Sequence, residues 1–138
     1  MVKNPKNGIR LPPQSISSEQ AVLGSIMLRK DAMHEVEDVI TPDSFYAEKH
    51  KLIFQAMLDL ASKNEPIDML SLSTKLKDQK LLERVGGNQY LAEIVNTVPS
   101  SANIKHYANI VQKKYVLRSL IEAGDYVASI AFEDNDEH

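Results

Sequence analysis

The sequence predicts an all-α protein with a compact multi-helix head followed by a long projecting helix. Apolar residues recur at intervals of three and four along most of the chain, which is the period of an amphipathic helix. Glycine and proline are scarce, at 5 and 6 of 138 residues, and most of them flank the periodic segments. Residues 102–123 contain neither, so one uninterrupted helix is expected there. Hydrophobic residues make up 43% of the chain, which is enough for one modest core.

Residues 1–16 are predicted to form a flexible basic arm in front of the first helix. Three basic residues precede the first acidic one, Glu19, and they are Lys3, Lys6 and Arg10. Pro12-Pro13 favours an extended backbone just before the fold begins. The arm is expected to be a solvated leader, with weak contact to nucleic-acid phosphates as the alternative.

The head is predicted to span residues 17–101 and to begin with a helix capped at Ser17. Ser17 and Gln20 have the spacing of a capping box, and Ile16 occupies the position of a staple residue. The predicted buried face of this helix consists of Val22, Leu23, Ile26 and Met27. Gly24 lies inside the helix, where glycine costs roughly 1 kcal/mol relative to alanine, so we expect a second helix to approach closely there.

Four further helices are predicted in the head. The second covers about 32–40 and leads into a Thr41-Pro42 turn; its inward residues and the anchors that follow are Met33, Val36, Val39, Ile40, Phe45 and Tyr46. The third has a broad apolar stripe of Leu52, Ile53, Ala56, Met57 and Leu60. Asp68 or Ser71 caps the fourth, which turns inward Leu72, Leu76 and Leu81. A Gly86-Gly87 turn precedes the fifth, which ends before Pro99 and buries Tyr90, Leu91, Ile94 and Val95.

The long helix is predicted at 102–132, with Ser100 or Ser101 as its cap. At ~1.5 Å per residue it spans roughly 45 Å, which is more than a small head needs, so part of it is expected to project. Five of its residues repeat with spacings of three, four, three and four, the period of helix-on-helix packing: Leu117, Leu120, Gly124, Val127 and Ala131. We call these residues the seam and predict that it packs against another helix, in this chain or in a second copy. Residues 133–138 are predicted to be an acidic turn or linker.

The sequence carries no motif for catalysis or for cofactor binding. Its glycines do not form the GxxxxGK[ST] loop that cradles phosphates, so ATP binding by such a loop is not expected. His34-Glu35 begins like a zinc-protease motif, but Asp38 stands where the second histidine ligand would be. The four histidines are expected to be exposed or partly buried, and no metal site is predicted: His34, His50, His106 and His138.

The charge balance argues against strong binding to nucleic acid. The net charge is -3, whereas domains that bind by neutralising phosphates usually carry a basic excess. The alternative function is a stand-alone helical DNA-binding or regulatory module. It rests on a basic stretch of the long helix that contains Lys105, Lys113, Lys114 and Arg118 with Tyr107 and Tyr115. The chain has no cysteine, which fits a reducing cytoplasm. No apolar run approaches the ~20 residues of a membrane span, so we predict a cytoplasmic location and no membrane contact.

Four stretches in the same order resemble the N-terminal domain of bacterial replicative helicases of the DnaB type. They are LPPQSISSEQAVLGSIML at 11–28, TPDSFYAEKHKLIFQAML at 41–58, LLERVGGNQYLAEIVNTVP at 81–99 and SSANIKHYANIVQKKYVLRSLI at 100–121. Together they cover roughly 11–131. The resemblance implies a non-catalytic collar domain that mediates subunit association and the docking of primase.

The resemblance also implies properties of a parent protein. The parent would be an ATP-dependent helicase, hexameric as a trimer of dimers, with ATP and Mg²⁺ bound by a C-terminal RecA-like domain that this chain lacks. Residues 102–132 would be the first arm of a helical hairpin, and the isolated domain would form a dimer.

The partners implied by the resemblance are the C-terminal domain of primase and, as a further candidate, a helicase loader. Carried over by position, the primase-interface candidates are Tyr90, Ile121 and Val127, while the remaining seam residues are candidates for subunit or hairpin packing. DNA binding by this domain alone is expected to be weak or absent. Ser17 departs from the family, because many relatives carry an acidic residue there, so the resemblance leaves primase affinity and partner choice open.

Overall fold

The computed structural model describes residues 10–99 and 103–136. Within these ranges the chain forms six α-helices, one 3-10 turn and no strand, so the predicted all-α fold with a long last helix is confirmed. The helices are α1 Ile16–Leu28, α2 Ala32–Val36, α3 Glu48–Ser62, α4 Met69–Asp78, α5 Gly87–Thr97 and α6 Ile104–Asp136, and the 3-10 turn is Pro42–Ser44. Most of the predicted basic arm and both predicted caps of the last helix, Ser100 and Ser101, lie outside the described residues.

Helix α1 is the centre of the head, by which we mean α1–α5 and the buried first turns of α6. It packs against α5 and α6 and also contacts α3. Residues 21–27 are all buried, because a helix that is apolar around most of its circumference is stable only inside a core. The side chains buried with it include Phe45, Phe54, Met57, Leu76, Leu91 and Ile94, so the predicted inward faces of the five head helices meet in one core.

The first helix begins earlier than predicted. Ser15, not Ser17, is the N-cap, and its hydroxyl accepts a hydrogen bond from the backbone N–H of Ser18 at 3.3 Å. The predicted capping box of Ser17 and Gln20 is therefore wrong. Ser15 lies close after the proline pair with an extended backbone, so it offers a capping oxygen two residues before Ser17 can.

The close helix approach predicted at Gly24 is confirmed. A Cβ atom added at Gly24 would overlap Cγ2 of Val98 and would lie 3.0 Å from the carbonyl oxygen of Ile94. Helix α5 and the residue after it therefore pack directly on the backbone of α1. This packing compensates for the low helix propensity of glycine.

The second helix is shorter than predicted, and one of the predicted anchors is exposed. Helix α2 ends at Val36, and residues up to Ile40 continue as hydrogen-bonded turns. Phe45 is fully buried as predicted, but the prediction was wrong for Tyr46, which is 38% exposed. The backbone is extended at Phe45, and successive side chains of an extended segment point to opposite sides.

The predicted turns around α4 and α5 are confirmed. Asp68 caps α4 in a capping box, with its carboxylate accepting from the N–H of Ser71 at 2.8 Å and the Ser71 hydroxyl accepting from the N–H of Asp68 at 3.0 Å. Gly86 and Gly87 have φ values of 108° and 71°, which L residues with a side chain adopt at a cost. They form the turn that leads into α5, with Gly86 as its N-cap and Gly87 as its first residue.

The last helix is longer than predicted. It has 33 residues and therefore spans about 50 Å. The predicted acidic turn at 133–138 is wrong for residues 133–136, which are helical, while the last two residues lie outside the described part. Neither glycine nor proline occurs after Gly124, so acidic side chains, which oppose the helix dipole by only a few tenths of a kcal/mol each, do not end the helix.

Candidate interaction surface

The distal half of α6 projects from the head and is exposed along its whole length. Residues 120–135 are all exposed, whereas Ile104, Ala108 and Val111 near the start of the helix are buried. The exposed half carries six large apolar side chains, which are Leu120 (63% exposed), Ile121, Tyr126, Val127 (65%), Ile130 and Phe132 (70%). We call this half the arm. Several exposed large apolar side chains on one helix usually mark an interaction site.

The seam predicted from the sequence lies on the arm. Leu117 is half-buried at its root, and the other four seam residues are exposed. Nothing lies within 4 Å of a Cβ atom added at Gly124, so the helix backbone is open to close approach at that position. Among the described residues, no helix covers this face.

The seam faces away from the head. One line of residues along α6 contacts the head, and it consists of Ile104, Ala108, Val111, Tyr115 and Arg118. At the same helical spacing, this line continues along the arm through Glu122, Asp125 and Ser129. Each seam residue follows a residue of that line by two positions, which is a rotation of about 200°. The arm therefore has a polar side continuing the head-facing line and an apolar side opposite.

Arg118 ties the root of the arm to two loop segments. One guanidinium nitrogen donates to the carbonyl oxygen of Pro13 at 2.8 Å, and another donates to that of Ser44 at 2.9 Å. The guanidinium also lies over the rings of Tyr46 and Tyr115, at 5.5 and 5.9 Å from the centroids. These contacts hold the guanidinium of Arg118 against the head, so Arg118 is a structural residue and contributes little to a nucleic-acid surface.

An open groove of about 520 Å³ lies beside Arg118 at the root of the arm. Its walls come from the leader, the 3-10 turn and α6, and they include Pro12, Tyr46, Tyr115 and Ile121. The groove is continuous with the arm because Ile121 belongs to both. A partner that packs on the arm can therefore also reach this groove.

Tyr90 lies at the other prominent site of the head, a buried polar network. The tyrosine is only 9% exposed, and its hydroxyl lies 2.6 Å from Nε2 of His50 while accepting from the side-chain amide of Gln20 at 3.1 Å. Lys49 places its ammonium 3.7 Å from the centroid of the Tyr90 ring. The ring is thus sandwiched inside the head and presents little surface of its own.

Glu19 anchors this network at the start of α3. Its carboxylate lies 2.7 Å from Nδ1 of His50 and accepts from the backbone N–H groups of Tyr46 at 2.7 Å and Ala47 at 3.4 Å. Free N–H groups at a helix N-terminus favour a negative charge. Glu19 and His50 are both fully buried, so the expectation that His50 is exposed or partly buried is wrong: the carboxylate and the hydroxyl satisfy both ring nitrogens, and burial then costs little.

A sequence model described as the DnaB-like helicase N-terminal domain matches residues 11–113. The match covers most of the chain and includes every helix of the head. The chain belongs to this family. The expectation drawn from the four ordered stretches is therefore confirmed, and the chain is called the DnaB-like domain below.

The relatives of the DnaB-like domain are replicative helicases of bacteria. The domain is 44% identical to Replicative DNA helicase DnaC of Bacillus subtilis (strain 168) over 128 residues. It is 41% identical to Replicative DNA helicase DnaB of Geobacillus stearothermophilus over the same length. In each case the match covers 93% of this chain and 28% of the relative. The chain thus spans less than a third of the length of these curated relatives.

Two solved structures share the fold of the DnaB-like domain. The crystal structure of the N-terminal domain of DnaB helicase from Mycobacterium tuberculosis matches with a TM-score of 0.89 and 39% identity, over 91% of this chain and 90% of that chain. A DnaB-like replicative helicase, solved in a study of its interactions with primase, matches with a TM-score of 0.74 and 28% identity, over 89% of this chain and 29% of that chain.

The structure separates the three predicted primase-interface residues of the DnaB-like domain. Ile121 and Val127 are exposed on the arm, whereas Tyr90 is buried in the network with His50. Ser17 is exposed in the first turn of α1. Tyr90 therefore offers little surface of its own to a partner, unlike Ile121 and Val127.

The buried network was missed from the sequence, although a signal for it was present. Glu19 precedes Val22 and Leu23 by three and four positions, and His50 has the same spacing to Ile53 and Phe54. Both polar residues therefore lie on the apolar stripes of their helices. A polar residue in such a stripe indicates that a polar partner is buried with it. When two helices each carry one, the two residues can be predicted to contact each other.

The carboxylate, imidazole and hydroxyl of the network have the order of a catalytic triad, but the site is closed. A nucleophilic hydroxyl must face a substrate-sized space. Neither the groove at the arm root nor a second groove, which is lined by residues such as Met33 and Ile67, includes a residue of the network. Among the described residues, no group of His, Asp and Glu side chains could hold a metal ion. The network therefore contributes to the stability of the head.

An exposed ion pair raises the pKa of His34 in the DnaB-like domain. Its Nδ1 lies 2.9 Å from the carboxylate of Glu37, and this hydrogen bond, together with the negative charge, raises the pKa of His34 above 6.5. The side chain is exposed, so the shift reflects a surface ion pair.

In the described part of the chain, no helix is long and apolar enough to cross a membrane.

Proposed function

We propose that the DnaB-like domain is a non-catalytic assembly domain of a replicative DNA helicase, which joins subunits through the arm and docks primase. The observation that carries the proposal is the exposed apolar side of the arm. Burying a Leu, Ile, Val or Phe side chain stabilises a complex by about 1.5–3 kcal/mol, and the arm exposes several together. Membership of the family directs the proposal to helicase assembly.

Self-association is proposed as the first role. An isolated copy of the domain can cover its seam with a second copy, so it would be a dimer, and the longer protein would be a hexamer built as a trimer of dimers. The polar side of the arm would remain in water. The length of the arm, roughly 25 Å from Leu120 to Asp136, suits helix-on-helix packing over two heptads.

Primase docking is proposed as the second role. It is supported by the family and by the solved DnaB-like relative that was studied with primase. Ile121 and Val127 provide exposed apolar contacts, while Tyr90 would act by holding α5 in place through its hydroxyl. A helicase loader is a further candidate partner, and the basic leader and Lys113-Lys114 contribute at most weak contact with DNA.

ATP hydrolysis and unwinding are proposed to reside in a RecA-like domain of a longer protein, outside these 138 residues. The relatives are more than three times as long as the matched region. ATP and Mg²⁺ would bind there, and the protein would act on DNA in the bacterial cytoplasm. The purified chain should accordingly show no ATPase activity, which a phosphate-release assay would measure.

Sedimentation of the purified chain tests self-association. We expect dimers or larger species at micromolar concentration and a monomer for the double variant Leu120→Asp with Val127→Asp, because two charges would have to be buried in the interface. Ser129→Asp is the matched control, since Ser129 lies on the polar side of the arm, and it should associate like the original chain. A monomeric original chain at these concentrations would contradict the proposed assembly role.

Mass measurement with the cognate C-terminal domain of primase tests docking. We expect a complex with the original chain and about tenfold or weaker binding for Ile121→Asp. Tyr90→Ala is also expected to weaken the complex. Leu70→Asp, which changes an exposed apolar residue on α4, should not. A chain that folds and dimerises but forms no complex with primase would remove this role and leave assembly standing.

A further inference from the structure

We propose that the buried network acts as a pH-sensitive switch, which holds α5 against α1 and α3 while His50 is neutral. In this state the hydrogen bonds are donated in one direction along four side chains, which are Gln20, Tyr90, His50 and Glu19 in that order. A second proton on His50 reverses its bond to Tyr90 and loosens α5. The switch lies within the head and depends on neither self-association nor primase docking.

Glu19 fixes the direction of the hydrogen bonds at one end of the network. Its carboxylate accepts from the backbone N–H groups of Tyr46 at 2.7 Å and Ala47 at 3.4 Å, just before the first residue of α3. A backbone N–H group can only donate, and N–H groups at a helix N-terminus favour a negative charge. Glu19 is therefore an ionised acceptor, so the hydrogen between it and Nδ1 of His50, at 2.7 Å, belongs to the histidine.

Tyr90 fixes the direction at the other end. Its hydroxyl accepts from the side-chain amide of Gln20 at 3.1 Å and lies 2.6 Å from Nε2 of His50. A tyrosine hydroxyl also has one hydrogen to donate, and Nε2 is the acceptor that the described residues offer to it. Nε2 therefore carries no hydrogen, and His50 is the neutral tautomer with its hydrogen on Nδ1.

The groups around His50 keep its ring neutral until the solution becomes acidic. Glu19 of α1 attracts a second proton, whereas burial opposes a charge on the fully buried ring. Lys49 of α3 opposes it as well, because its ammonium lies 3.7 Å from the centroid of the Tyr90 ring, and that ring stacks on the ring of His50 at 5.9 Å. The ring of Phe45, which carries no charge, contacts His50 edge-on. The titratable neighbours of His50 are thus one acid, one base and the tyrosine.

A second proton on His50 destroys the match between donors and acceptors. Nε2 then donates to the hydroxyl of Tyr90, which already accepts from Gln20, and the hydrogen of this hydroxyl loses its acceptor. Tyr90 is only 9% exposed, and a buried donor without a partner is unfavourable. Because Tyr90 lies in the first turn of α5, this helix is the part of the head that we expect to loosen.

Nitrogen NMR of the purified chain tests the proton positions in the network. At about pH 7.5, above the ordinary titration of histidine, His50 should show a protonated Nδ1 and an unprotonated Nε2. His106, which is exposed on α6, is the reference and should exchange between the two neutral tautomers. A hydrogen on Nε2 of His50 under these conditions would overturn the proposal.

Amide hydrogen exchange between about pH 7.5 and about pH 5 tests the switch, since histidine side chains change charge in this range. After correction for the direct effect of pH on exchange, the amides of α5 should exchange about tenfold faster in acid, because the network has lost one buried hydrogen bond. In the original chain this rise should follow the protonation of Nε2 of His50, measured on the same sample. Exchange of α5 that stays constant, or that rises without protonation of His50, refutes the switch.

His50→Gln separates the switch from other effects of acid. The glutamine side chain can still offer an acceptor to Tyr90 but takes up no proton, so α5 should exchange equally fast at both ends of the pH range. His106→Gln removes an exposed histidine and is the matched control, which should keep the acid-induced rise. An equal rise in His50→Gln would contradict the role of His50. If His50→Gln does not fold, the agreement between protonation and exchange in the original chain decides the question.

Discussion

Replacing Glu19 by alanine should destabilise the head more than any exposed substitution, although Glu19 touches no proposed partner. The change removes the acceptor of three hydrogen bonds, from His50 Nδ1 at 2.7 Å and from two backbone N–H groups at 2.7 and 3.4 Å. A buried donor left without a partner costs about 1–3 kcal/mol. The two short bonds dominate, so we expect a loss of about 3–5 kcal/mol, which is the range for breaking a buried polar pair.

Urea unfolding followed by circular dichroism at 222 nm measures this loss. Native domains of this size are stable by only about 5–15 kcal/mol, so Glu19→Ala should remove about a fifth or more of the stability and lower the melting temperature by about 10–20 °C. All variants are compared at one protein concentration, because association also adds to the apparent stability. Glu19→Gln should lose less, since its side-chain oxygen can still accept one backbone N–H.

Glu48→Ala is the matched control for Glu19→Ala. Glu48 begins α3, close to the same network, but it is exposed and pairs with Arg84 at 3.7 Å. Exposed ion pairs contribute about 0–1 kcal/mol, so this variant should unfold almost like the original chain. The reasoning fails if Glu19→Ala loses under 1 kcal/mol, or if the two glutamate variants lose equal amounts.

Three further outcomes are expected. Gly24→Val should fail to fold stably or lose about 2–4 kcal/mol in urea unfolding, because its side chain would collide with Val98; near-wild-type stability would show that the helices can separate. Arg118→Met should lose about 1–3 kcal/mol through its two charge-assisted hydrogen bonds, and hydrogen exchange should rise in the leader and the 3-10 turn but not in α4. The pKa of His34, followed by NMR, should lie above 6.5 and fall in Glu37→Gln. Because folding raises this pKa, its contribution to stability is present below about pH 6.5 and is lost as pH rises through the raised value.

The elements of the head could be predicted because each depends on local rules. Spacings of at most four residues determine three of these features, which are the apolar stripe of α3, the capping box at Asp68 and the turn at Gly86-Gly87. Their positions agree with the structure. Boundaries were less certain where two rules compete, as at α1, where Ser15 and Ser17 both offer a capping hydroxyl and the chain direction after the prolines selects Ser15.

The buried network could not be assembled from the sequence by the same rules. Glu19, His50 and Tyr90 belong to three helices separated by 31 and 40 residues, so their meeting depends on tertiary packing. Arg118 is a similar case, because it looked like part of a basic surface and instead holds two carbonyl oxygens. In both cases a polar side chain was expected to be solvated because polar residues usually are. In the structure its position brings it against a hydrogen-bond partner instead.

The arm could be predicted in part from local spacing and in part only from tertiary packing. Its apolar spacing was visible in the sequence, but spacing alone cannot say which side of a helix faces the head. The structure supplies this through the line from Ile104 to Arg118, and the seam lies about 200° away from it. Helix α6 packs one side on the head and exposes an apolar side to water for two heptads. An apolar side that stays exposed lowers the solubility of a protein and adds nothing to its stability. The cost is offset if a second helix covers the seam, as the proposed self-association requires.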